Sequence, residues 1–68
     1  MIELTKLNGM PFVLNCDHIE TIQENPDTTI RLSNGNVYIV MESTETIIQL
    51  TIDYRKKLYE DVLGSAKA

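Results

Sequence analysis

The sequence is short of the residues that mark several protein classes. It has one cysteine, no tryptophan, two prolines and three glycines in 68 residues, with six basic side chains against ten acidic ones. A lone Cys16 cannot form an internal disulfide, which excludes a disulfide-stapled scaffold and fits a reducing compartment. The formal net charge of −4 opposes the phosphate-neutralising surface of a nucleic-acid binder and electrostatic docking on an anionic membrane. No apolar run approaches the ~20 residues of a membrane span. The opening Met1-Ile2-Glu3-Leu4-Thr5-Lys6 lacks the basic stretch and apolar core of a signal peptide. The expectation is a cytoplasmic protein with no membrane insertion and no nucleic-acid partner.

What is present suffices for one small domain. Apolar residues make up 43% of the chain, an ordinary share for a packed core. A domain this short buries a modest fraction of its surface, and such domains commonly add a disulfide, a metal or self-association. With one cysteine and no cluster of metal-ligand types, self-association into a homo-oligomer is the expected support.

Strands come first and one helix follows. Segments Ile2 to Leu7, Phe12 to Asn15, His18 to Glu24, Thr28 to Ser33 and Asn36 to Met41 read as five strands, with a bend at Cys16-Asp17. Asn8-Gly9 and Asn34-Gly35 are hairpin signals because both residue types tolerate positive φ. Asn25-Pro26-Asp27 is a turn in which Pro fixes φ and the flanking side chains bond the backbone. Pro11 has no N–H and requires an edge or unbonded ladder position. A two-residue loop at Asn34-Gly35 pairs Leu32 with Val37 and Ile30 with Ile39, placing all four on one face. At Asn8-Gly9 a two-residue loop pairs Leu4 with Val13, whereas a three-residue loop with a bulge pairs Leu4 with Leu14; the bulged form is preferred. The two hairpins echo each other as an internal repeat or, more simply, as one turn problem solved twice.

After Glu42 the pattern changes to a helix. Ser43 is the expected N-cap, Glu45 faces the positive end of the dipole, and Gly64 follows the last apolar residue as a stop. The fold class is thus α+β, an antiparallel β-meander of about five strands followed by one C-terminal α-helix. The domain spans 1–64, with 65–68 as a disordered tail. At about 100° per residue, Ile47, Leu50, Tyr54, Leu58 and Val62 form one apolar stripe, and Ile48, Ile52, Tyr59 and Leu63 form a second beside it. Together they cover roughly 220°, about twice what a helix lying on one sheet requires. A sheet covers the first stripe, so Ile48, Ile52, Tyr59 and Leu63, with Arg55 among them, are the candidate oligomer or partner contact. Arg55 lies within the arc, either as an aliphatic stem with its head in water or as an interface arginine.

No catalytic set stands out. Cys16-Asp17-His18 juxtaposes a thiol, a carboxylate and an imidazole, but neighbouring residues of an extended chain point apart, and a structural zinc site needs four ligands. Glu20 with Glu24, Glu42 with Glu45, and Glu60 with Asp61 read as solvated acids rather than a general acid–base pair in a cleft. Neither a Gly-rich phosphate loop nor a G-x-S-x-G elbow occurs. The expectation is a protein that is not an enzyme, with no catalytic, metal or cofactor-binding residues and no cofactor.

The string Met1-Ile2-x-Leu4-Thr5-x-Leu7-Asn8-Gly9-x2-Phe12-Val13-Leu14-Asn15, then Ile19-Glu20-x-Ile22, Pro26-Asp27-Thr28 and Leu32-x-Asn34-Gly35-x2-Tyr38-x-Val40-x-Glu42-Ser43, resembles the small FlbD/SwrD flagellar motility proteins. The resemblance covers about residues 1 to 60. It implies a non-catalytic cytoplasmic accessory to flagellar motility and swarming, with motor or stator proteins as partners. Cys16 stands where a small residue is expected before the aspartate, and the tail after Leu63 lies outside the resemblance. The rival reading is a small β-rich nucleic-acid-binding regulator, since five strands can curl into an Sm-like or OB-like barrel. The acidic balance counts against it.

Overall fold

Two Asn-Gly turns organise the strands, and each takes the same form. In the computed structural model, which describes the backbone of residues 1–67 and the side chains of 1–62, the order is β1 (Ile2–Thr5), β2 (Pro11–Leu14), a single 3-10 turn (Cys16–His18), β3 (Ile19–Glu24), β4 (Thr28–Leu32), β5 (Val37–Val40) and α1 (Thr44–Lys67). β1 and β2 form one antiparallel sheet, and β3-β4-β5 form a second. A bridge between Lys6 and Val40 and a bond from the Met41 N–H to the Thr5 carbonyl at 2.8 Å join the two. The expected α+β meander with one C-terminal helix is the fold observed.

The turns set a register different from the expected one. Gly9 and Gly35 have φ of +87° and +91°, while no non-glycine residue has positive φ. A two-residue type I′ hairpin needs positive φ at the asparagine too, so it does not form. Instead the Gly9 N–H bonds the Lys6 carbonyl and the Gly35 N–H bonds the Leu32 carbonyl. Asn8 and Asn34 each accept the N–H two residues on, from Met10 and Asn36. Both loops therefore have three residues ending on a left-handed glycine. Ile30 pairs with Tyr38 and Thr29 with Ile39, not Ile30 with Ile39, and Leu4 pairs with Phe12 rather than Leu14. The one-residue slip in the second hairpin turns Val37 and Ile39 outward and Tyr38 and Val40 inward.

A bulge brings β3 into the core. Ile19 pairs with Leu32 and Ile22 with Ile30, with the register shifting between Ile19 and Thr21. Ile19 and Ile22, three residues apart, thus share the inward face despite the two-residue period of a strand. Pro11 opens β2, which bonds only β1, a position that tolerates its missing N–H.

The core is Ile2, Leu4, Leu14, Cys16, Ile30, Leu32, Val40 and Ile47, flanked by Phe12, Tyr38, Leu50 and Tyr54. Helix entry is heavily bonded. Ser43 Oγ accepts the Thr46 N–H at 3.1 Å, as expected of the N-cap, and Glu24 Oε1 accepts the Thr44 N–H. Glu42 accepts both the Thr5 N–H (2.9 Å) and its hydroxyl (2.8 Å). The helix continues past Gly64 to Lys67 instead of stopping there; a helical glycine costs only about 1 kcal/mol relative to alanine. The side chain of Leu63 and the side chains of the expected 65–68 tail lie outside the described residues.

Candidate interaction surface

The helix is anchored at its first turns and free beyond them. Ile47 is fully buried, and Leu50 and Tyr54 are half-buried against the sheets. From Arg55 to Val62 every residue is exposed. Leu58, on the stripe that the helical period places under the sheet, is 47% exposed. The strands are four to six residues long, about 13–20 Å at strand rise. Twenty-four helical residues extend about 36 Å. The sheets run out before the helix does.

Of the candidate contact residues, Ile48, Ile52 and Tyr59 stand 50%, 45% and 67% exposed. The structure keeps them together on one helical face. Leu63 falls outside the described side chains. Arg55 shares the face but makes an intrachain ion pair, its Nη2 3.3 Å from Asp17 Oδ1, both side chains well exposed. Such a pair is worth at most about 1 kcal/mol. It places the guanidinium beside the 3-10 turn, so Arg55 faces its own chain as well as solvent.

The other wall of this surface carries no signal in the sequence. An open groove of about 300 Å³ runs between α1 and β3, lined by Ile19, Ile22, Cys16, Ile48, Ile52 and Arg55 among others. Ile19 and Ile22 reach it through the β3 bulge, which no alternation pattern announces. A shallower depression follows along the helix between Ile52, Lys56 and Tyr59. The polar residues here do not form a reacting set. Cys16 is buried, whereas Asp17 and His18 are exposed. Among the described residues no group of three His, Cys, Asp or Glu side chains could hold a metal ion. Nor is any helix among them long and apolar enough to cross a membrane.

The titrating groups that shift lie at the helix entrance, away from the groove. Partial burial pushes the Glu42 carboxyl up, but the bonds from the Thr5 N–H and hydroxyl outweigh it and hold the group below its ordinary 4.5. The Thr44 N–H holds Glu24 below the same value. Both carboxylates sit where the helix dipole favours negative charge. Their chemistry is structural: they close the junction between strands and helix.

Fold and surface together define a small α+β domain with an uncovered apolar helical face. The family model FlbD, described as flagellar and swarming motility proteins, matches residues 1–59. The chain belongs to that family, and its role lies in flagellar and swarming motility. The match includes Ile48, Ile52, Arg55 and Tyr59 and ends before Leu63. No curated protein and no solved structure matches the chain.

Proposed function

We propose that the protein acts in the cytoplasm as a non-catalytic accessory to the flagellar motor, supporting motility by binding motor or stator components. The observation that carries this reading is the family match over residues 1–59; the uncovered face of Ile48, Ile52 and Tyr59 beside the Ile19–Ile22 groove adds only that the chain has apolar surface suited to protein contact. Large apolar side chains gathered on one exposed surface favour protein contact over small-molecule chemistry. The family supplies the setting in which such contacts are used.

The test is crosslinking of the tagged chain to purified cytoplasmic portions of motor and stator proteins, alongside swarming assays of a deletion strain. Capture of a motor or stator component, with swarming lost on deletion and restored by the wild-type chain, is the expected outcome. Normal swarming in the deletion strain, or sub-micromolar sequence-selective nucleic-acid binding at physiological salt, overturns the reading.

A further inference from the structure

The chain exposes more surface than its size accounts for. A compact 7.7 kDa protein exposes about 4,300 Å² by size scaling. The observed area is 5033 Å², an excess of about 700 Å². The radius of gyration is 13.7 Å, against about 11 Å for a compact chain of this length. Both values include the helix from Arg55 onward, which leaves the sheets and carries Leu58, Tyr59 and Val62 into solvent. A standard specific interface takes about 800 Å² from each partner. The excess is spread over all sides of the projecting helix, so its apolar side supplies part of what one copy contributes to such an interface, and the groove of Ile19 and Ile22 adds to it.

The face is also complementary to itself. On a helix of 3.6 residues per turn, Ile48, Ile52, Arg55, Tyr59 and Val62 fall within an arc of roughly 80°. Its N-terminal half borders the groove of Ile19 and Ile22, and its C-terminal half projects free of the sheets. A groove at one end and a ridge at the other is the arrangement that a two-fold axis satisfies twice. Antiparallel helices centred near Arg55 set Ile48 opposite Val62 and Ile52 opposite Tyr59 of the second copy. Arg55, the charge within this arc, lies 3.3 Å from Asp17, so an ion pair rather than a lone guanidinium meets its symmetry mate near the axis.

We infer that the occupant of this face is a second copy of the chain, forming a two-fold dimer of antiparallel α1 helices in which the free half of each helix fills the groove of the other. The inference rests on reading the face as a contact surface. It does not depend on the identity of any motility partner.

Sedimentation equilibrium on the full chain at high micromolar concentration tests it. The expected mass is twice 7.7 kDa. Ile52→Asp places a carboxylate in the interface and should weaken association at least about tenfold. Lys57→Asp, on the polar face, should leave the dimer intact. Ile52 is already half exposed, so the variant should keep its fold, and circular dichroism checks that it does. If Ile52→Asp misfolds, Tyr59→Ser gives the same comparison from a more exposed site. A wild-type mass of 7.7 kDa, association unaffected by the interface variants, or a trimer or tetramer overturns the two-fold dimer. None of these results alters the crosslinking and swarming readouts, so the two readings fail separately.

Discussion

Glu42 grips Thr5 with both carboxylate oxygens, one on the backbone N–H at 2.9 Å and one on the hydroxyl at 2.8 Å. This two-point contact ties the end of β1 to the segment that enters the helix. It stands next to the Lys6–Val40 bridge where the two sheets meet. Bonds to an ionised acceptor are stronger than neutral ones. Glu42→Gln keeps one acceptor oxygen but loses the charge and the matched geometry, and should cost about 1 kcal/mol in urea denaturation.

The same contact sets a pH dependence. The Glu42 carboxyl lies below its ordinary 4.5 in the fold, and Glu24 shifts in the same direction. A lowered native pKa contributes stability that is present above 4.5 and lost as pH falls through the native value. The thermal midpoint should therefore drop on acidification below about pH 4.5. Glu24→Gln/Glu42→Gln should show a shallower drop, measured by circular dichroism melts across that range.

The two turns make a separate prediction. Nothing lies within 4 Å of a Cβ added at Gly9 or Gly35, yet both have φ near +90°. The cost of alanine there is conformational rather than steric, at about 1–2 kcal/mol for each position. Asparagine, which tolerates the left-handed region better, should cost less than alanine at both turns. Urea midpoints of the four single variants check the ranking.

Phe12 and Tyr38 link the two hairpins, with ring centroids 5.3 Å apart at 30°. Each ring lies directly across its ladder from a buried aliphatic residue, Leu4 or Ile30. A double-mutant cycle with Phe12→Leu and Tyr38→Leu should give a coupling of about 0.5–1.5 kcal/mol. A coupling near zero would mean the hairpins dock through their aliphatic residues alone.

Cys16 calls for a different substitution from the one its neighbours suggest. It is buried in the core, while His18 beside it is exposed. Cys16→Ser buries a hydroxyl and should cost about 1–3 kcal/mol, whereas His18→Gln should stay within about 0.5 kcal/mol. The native thiol should react slowly with a soluble thiol reagent and quickly after urea is added.

Much of this fold was legible in the sequence because its signals are local. The five strands, the Ser43 cap and the helix all follow from alternation, turn residues and a 3.6-residue period. Register was not legible. Asn-Gly fits a two-residue loop with both residues left-handed or a three-residue loop with only the glycine so, and the choice decides whether Val37 or Tyr38 faces the core. The second stripe of α1 was readable from its period, and Ile48, Ile52 and Tyr59 are indeed uncovered. Its companions Ile19 and Ile22 were not readable, because a bulge at β3 breaks the alternation that would have revealed them. How far the sheet reaches along the helix depends on tertiary packing, which is why Leu58 was expected under cover and stands in solvent.

The bridge between Lys6 and Val40 also governs when the chain can fold during synthesis. The first hairpin closes over a loop of three residues, but a two-stranded hairpin alone is marginally stable in water. Its inner face, with Leu4 buried, finds cover only after β5 has been made, and Glu42 lies 37 residues beyond the Thr5 it grips. Contacts this distant in sequence bear the loop-closure cost before they return any stability. The growing chain therefore carries the first hairpin without its cover until Val40 and Glu42 have been made. Docking of the first hairpin against the last strand and the helix entrance has to wait until both have been made.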